Sequence, residues 1–233
     1  MRIAISGTYS TGKTTTSYAL AHLTGIPRTH AKTMRELLPD VAPGSLLEQT
    51  GITELIQLGI LRYAERYRHE STLSGSFISD GSTLHEWSYG KLRAKIGISP
   101  DDPTTIPSGR DAHALNVAMD AIGAIAKRHA RRSYDVFIHL PIEFPLVADG
   151  HRPVSEEFRH GSSDLLLATL RELDIPVHVI GGDIPTRLNT IVSTLELPTI
   201  MSVEQAVDLA QAALAALDTA DEVSRTGTDS PRA

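Results

Sequence analysis

Arg2-Ile3-Ala4-Ile5-Ser6 runs directly into Gly7-Thr8-Tyr9-Ser10-Thr11-Gly12-Lys13-Thr14. A short apolar strand therefore feeds G-x-x-x-x-G-K-T, and Thr15–Leu23 follows with the character of a helix. Strand, glycine-rich loop and helix in that order are the setting in which this pattern cradles phosphate. The two glycines free the backbone to curl, so that successive N–H groups point inward at phosphate oxygens. The helix N-terminus adds its partial positive charge at the same point. Gly7, Thr8, Tyr9, Ser10, Thr11, Gly12, Lys13, Thr14 and Thr15 are accordingly the expected nucleotide-binding residues. Lys13 is expected on the β- and γ-phosphates, and the Thr14 hydroxyl on Mg²⁺.

The rest of the chain is read around that loop. Its 233 residues suit one α/β domain with a core of its own, carrying at most a small lid. The apolar share is 41% and the charged share 21%, ordinary for a water-soluble globular protein. A net charge of −6 without a basic stripe speaks against nucleic acid as a partner. The absence of cysteine excludes disulfides, zinc–thiolate sites and a cysteine nucleophile. No apolar run approaches membrane-spanning length, and the first strand begins at Arg2, so no membrane partner and a cytoplasmic location are expected. Whether the chain pairs as a homodimer is left open.

Downstream, Pro27–His30 is a weak second strand, and Ala31–Leu38 a short helix closed by Pro39. Leu46–Glu70 has helical apolar spacing, with Arg62–Glu70 charged and solvated on one side. Phe77-Ile78-Ser79-Asp80-Gly81 is a short strand ending in a carboxylate. Ligands of open parallel sheets bind beyond the carboxyl ends of the strands. Asp80 is thus expected to face the phosphate loop, holding Mg²⁺ or accepting a hydroxyl proton. Thr83–Lys95 reads as a helix that places His85 and Tyr89 one turn apart, where both can line an acceptor pocket. Gly97–Arg110 reads as a loop, and Ala112–Arg131 as a helix with a solvated basic end.

Tyr134–Leu140 is a buried strand. Pro141–Gly161 follows as a lid, in which Arg152 and Arg159, seven residues apart, share a face if the segment is helical. Closing over the site, both arginines would neutralise charge on a transferring phosphoryl group; the alternative is that they are ordinary surface arginines paired with Glu156 and Glu157. Ser162–Leu173 is a helix, Pro176–Ile180 the last strand, Pro185–Leu195 a helix bearing Arg187, and Ser202–Leu217 an alanine-rich helix with a capping box at Ser202 and Gln205. Residues 218–233 are expected to form a disordered tail.

Taken together, Gly7–Thr14, Arg35-Glu36, Asp80, Asp149-Gly150-His151-Arg152 with Arg159, and Pro-Val-His-Val-Ile followed by Arg187 resemble the ATPase-like P-loop kinases related to the ribosylnicotinamide kinase domain of the bacterial NAD regulator. The resemblance runs with gaps from Met1 to about Leu195. It implies a three-layer α/β/α P-loop NTPase-type fold, with a mainly parallel sheet of about five strands and a small lid. It also implies transfer of the γ-phosphoryl of Mg-ATP to the hydroxyl of a small, often nucleoside-like acceptor. Asp80 would be general base or metal partner. Arg35, Lys32, His85, Tyr89 and Asp149 would meet the acceptor, Arg152 and Arg159 would act from the lid, and Arg187 would lie near the adenine. ATP over GTP rests on the resemblance alone.

Two departures stand out. Relatives often carry Glu-Pro-Ala-Arg where this chain has Lys32-Thr33-Met34-Arg35. Many also carry Asp-Arg and a second Asp where it has Asp80-Gly81 and His85. Losing a carboxylate and gaining a cation there favours a neutral or anionic acceptor over a cationic one. The competing reading is a nucleotide switch or ATPase that acts through a protein partner, although neither an N-K-x-D motif nor a water-orienting glutamine is evident. A regulatory domain that binds nucleotide without turnover is a third.

Overall fold

The computed structural model describes residues 1–29, 31–45, 50–98, 102–145 and 155–226, except the side chains of residues 35, 103 and 217–226. The five strands are β1 (Arg2–Ser6), β2 (Arg28–Thr29), β3 (Phe77–Asp80), β4 (Val136–His139) and β5 (Val177–Val179). The helices are α1 (Lys13–Thr24), α2 (Met34–Val41), α3 (Ile52–Ser71), α4 (Thr83–Ile96), α5 (Gly109–Ser133), α6 (Glu156–Glu172), α7 (Ile184–Thr194) and α8 (Val203–Thr226).

All strand pairings are parallel, in the order β2-β3-β1-β4-β5. The central strands are apolar throughout because helices cover both faces of a parallel sheet. Side-chain alternation then sorts them. Ile3, Ile5, Ile78 and Ile138 pack on one face with residues of α1, α7 and α8, among them Leu20, Leu188 and Ala206. Ala4, Phe77 and Phe137 pack on the other face with Leu84, Trp87, Ala126 and Leu166, from α4, α5 and α6. This is the expected three-layer α/β/α fold with five strands. Because β3 and β4 flank β1 on opposite sides, the chain reverses its winding there, and the loop after β1 opens into the crevice where such sheets bind ligands.

Several boundaries differ from the sequence-based expectation. The second helix runs through Pro39 rather than ending there. It starts late, from a capping box in which the Thr33 N–H donates to Glu36 at 2.6 Å and the Glu36 N–H donates to Thr33 Oγ1 at 3.3 Å. Leu37 and Leu38 hold it by packing against Leu58. Helix α6 starts at Glu156, inside the expected lid. Ser155 Oγ accepts from the Phe158 N–H at 3.1 Å, and burial of Phe158 and Arg159 fixes that first turn to the body. Of the rest of the expected lid, residues 141–145 are in no helix or strand and residues 146–154 lie outside the described residues. Helix α8 has the expected Ser202–Gln205 capping box and extends to Thr226, past the boundary expected at 217.

Candidate active site

The loop after β1 folds as a phosphate cradle. Gly7 and Gly12 have φ of 139° and 85°, which an L side chain rarely adopts, and Ser10 joins them at 58°. A Cβ on Gly7 would also meet Thr11 Oγ1 at 2.6 Å and the Leu140 carbonyl at 2.8 Å. Lys13 opens α1 and reaches back across the loop, its Nζ donating to the Thr8 carbonyl at 2.5 Å. Thr8 Oγ1 is paired with Ser162 Oγ at 2.7 Å, tying the cradle to α6.

Register places Asp80 directly beside β1, opposite Ile5. Its carboxylate pairs with Arg28 at 2.7 Å. Burial pulls the Asp80 carboxyl upward, but the charges of Arg28, then Lys13, outweigh it and hold it below the usual carboxylate range. Asp80 is therefore an anion at neutral pH, set against the P-loop as expected. Arg28 itself lies over the Tyr18 ring at 3.8 Å and donates from Nε to Ser17 at 2.8 Å.

Helix α4 brings the next expected pair. His85 accepts at Nδ1 from the Ser82 N–H at 2.9 Å, acting as the capping residue of α4, which leaves the proton on Nε2. Burial, then the nearby Lys13 charge, lowers its pKa to about 3, so the imidazole is neutral. Its Nε2 has no partner among the described residues. Tyr89 stacks on Tyr9 of the loop (centroids 4.7 Å apart) and donates to the Gly7 carbonyl at 3.4 Å. It braces the cradle on one side and edges a pocket on the other. That pocket lies between α3, α4 and α5, with Met34 of α2 and Met119 of α5 as movable fillers. Its volume of about 20 Å³ is room for one water.

The arginines behave differently from expectation. Arg159 is fully buried, donating to the Tyr9 carbonyl at 3.2 Å and the Phe144 carbonyl at 3.0 Å and pairing with Glu156 at 2.8 Å. It is a fixed strut under the loop rather than a mobile lid arginine. Arg187, 1% exposed, donates to the Thr11 carbonyl at 2.7 Å and pairs with Glu143 at 2.7 Å. Its guanidinium is committed to the loop's backbone and to Glu143; the adenine contact that the resemblance implies for it is a separate matter of the bound nucleotide. Lys32 is exposed between β2 and α2, and Arg35 is the second residue of α2; the side chain of Arg35 lies outside the described residues, as do Asp149 and Arg152.

A buried polar network was not anticipated. Arg66 and Glu70 sit on the segment expected to be solvated, yet are 2% and 4% exposed. Arg66 donates to Ser79 Oγ at 3.0 Å and pairs with Glu86 at 3.2 Å, while Arg62 pairs with Glu86 at 2.7 Å. Glu70 accepts from Ser79 at 2.7 Å and from Tyr134 at 2.8 Å, and it meets His129 at 2.6 Å. Burial pulls Glu86 upward, but Arg66 and Arg62 outweigh it and bring its pKa to about 2. The spacing of Arg62, Arg66 and Glu70 along one helical face is the signal that could have found them. Arg66 also borders Gly81. Gly81 has φ of 82°, and a Cβ there would lie 3.3 Å from Arg66 Nη2. His139, at the end of β4, donates to or accepts from Ser6 and Ser163 hydroxyls, each at 3.0 Å.

A phosphate loop after the first strand, with a carboxylate at the end of the neighbouring strand, defines a P-loop NTPase-type nucleotide-binding protein. The family described as an AAA domain matches residues 2–187, and the chain belongs to it. No curated protein matches. Among solved structures, the chain is similar to deoxyadenosine kinase from M. mycoides with bound dATP, at 18% identity and a TM-score of 0.57, covering 84% of this chain and 99% of that one. It is likewise similar to NadR protein in complex with NAD and AMP-PNP, at 18% identity and a TM-score of 0.56, covering 84% of this chain and 48% of that one. At this identity the likeness is one of fold, and it is the fold of P-loop kinases. Among the described residues, no helix is long and apolar enough to cross a membrane.

Proposed function

We propose that the protein is a small-molecule kinase that transfers the γ-phosphoryl group of ATP to a hydroxyl acceptor, working in the cytoplasm. The observation that carries this reading is the meeting of Lys13, Thr14 and an ionised Asp80 at the mouth of the phosphate cradle. Next to it, Tyr89 separates the cradle from a pocket that an acceptor can open.

In this reading the loop amides and Lys13 hold the β- and γ-phosphates, with Lys13 exchanging the Thr8 carbonyl for phosphate oxygen. Asp80 orients the acceptor hydroxyl and receives its hydrogen bond, so that the oxygen is aimed in line at the phosphoryl group. The Thr14 hydroxyl and the Asp80 carboxylate are a hard-oxygen pair suited to Mg²⁺. When bound, the ion would neutralise charge on the phosphates. Arg159 and Arg187 contribute by fixing the carbonyls of Tyr9 and Thr11, which keeps the loop amides turned inward.

The test is ADP release from Mg-ATP against nucleosides, amino sugars, amino acids and sugar-like alcohols, with a no-acceptor control. A strong rise with one acceptor class supports the kinase. Steady release that no acceptor changes overturns it in favour of an ATPase or switch.

A further inference from the structure

Arg93 lies on α4 one helical turn beyond Tyr89 and is 5% exposed. Its guanidinium forms no ion pair among the described residues, and its Nε has no hydrogen-bond partner. The charge rests over the ring of Phe158 at 5.8 Å. Among the described residues the other arginines of comparable burial each have an ion pair, although Arg66 and Arg187 also leave Nε without a partner. Arg66 has Glu86, Arg159 has Glu156 and Arg187 has Glu143. A buried guanidinium without a counter-charge is costly unless something supplies one.

The surroundings say where that something enters. Arg93 edges the same pocket as Tyr89 and Glu86, whose other walls are apolar, including Leu115 and Met119. Along α4, Arg93 stands ten residues, ~15 Å, from Thr83 at the Asp80 turn. An acceptor reaching from Asp80 to Arg93 would have to open this pocket, which Asp80 does not line.

We propose that Arg93 is the anion-recognising residue of this pocket, and that the acceptor carries a carboxylate or phosphate at the end remote from the hydroxyl it presents to Asp80. This rests on the kinase reading for the hydroxyl, but the anion site stands on Arg93 alone.

The experiment uses the ADP-loaded protein, so that the phosphate loop is already occupied, and measures calorimetric affinity for matched probes. Benzoate against benzamide tests the carboxylate, and phenyl phosphate against phenol tests the phosphate. In wild type the anion of at least one pair binds about tenfold or more tightly than its neutral partner, the usual weight of a charge-assisted hydrogen bond. Arg93→Met abolishes that preference, retains ADP affinity, and raises the melting temperature of the ligand-free protein by removing an uncompensated charge. If Arg93→Met does not fold, Arg93→Gln carries the same expectation of lost preference. Equal affinity for anion and neutral partner in wild type, or a preference that survives both substitutions, overturns the proposal. ADP release is scored separately with orotidine against uridine. Arg93-dependent anion binding without acceptor-dependent ADP release would remove the kinase reading and leave the anion site standing.

Discussion

Arg28, at the start of β2, and Asp80, at the end of β3, form a 2.7 Å ion pair beside the phosphate loop. The pair fixes one carboxylate oxygen and lowers the basicity of the group. Asp80 is thereby better suited to orient a hydroxyl, or to share a metal with Thr14, than to store a proton between steps.

Asp80→Asn should lower the phosphoryl-transfer rate by about 10²-fold or more while leaving nucleotide affinity nearly unchanged. Steady-state kinetics beside ADP titration calorimetry checks this. A near-normal rate would move the hydroxyl-orienting role to another residue.

Arg28→Met should move the acid limb of the rate profile to higher pH. Arg28 is the largest influence holding the Asp80 carboxyl down, so its removal lets the carboxyl protonate at a higher pH. Rates between pH 4 and 8 on both proteins give the comparison. An acid limb that stays in place would show that Asp80 does not govern it.

Lys13→Ala should abolish acceptor-dependent ADP release, because the side chain that answers the charge of the β- and γ-phosphates is gone. Wild-type turnover in this variant would sink the assignment of the loop.

Arg159→Met and Arg187→Met should each weaken ADP binding and lower stability by about 1–3 kcal/mol, since each leaves loop carbonyls without their buried donor. Urea unfolding and ADP calorimetry are the measurements. A loss of kcat alone, with stability and affinity intact, would restore a catalytic role to the arginine concerned.

Stability should fall as the pH drops below about 6.5, the ordinary histidine value. Burial, then Lys13, lowers His85 to about 3 and His139 to about 4. Between those values and ~6.5 the unfolded chain binds protons that the folded one refuses, at about 1.4 kcal/mol per pH unit for each histidine. His85→Gln keeps a capping acceptor at the third helical position but cannot titrate, so its stability should fall about half as steeply. Urea midpoints at pH 7.5 and 5 decide it, and equal slopes in the two proteins would rule out His85 as a source.

The sequence by itself determined the β-loop-α unit at residues 2–24 and the strand ending in Asp80, because both rest on local rules. Chain chirality and apolar runs set the parallel layers, and Gly7 and Gly12 announce the positive φ values the cradle needs. It also placed His85 and Tyr89 on one side of α4, since helical spacing alone does that. Only the tertiary structure decided what each charge is for. Arg159 and Arg187 stand 150 and 176 residues from the carbonyls they hold, and Arg28 stands 52 from Asp80. Arg66 and Glu70 look solvated along the chain, yet Ser79, Glu86 and His129 arrive from three other elements to pair them. Periodicity reports which residues share a face. What packs on that face fixes a charge's partner, or, at Arg93, leaves it without one.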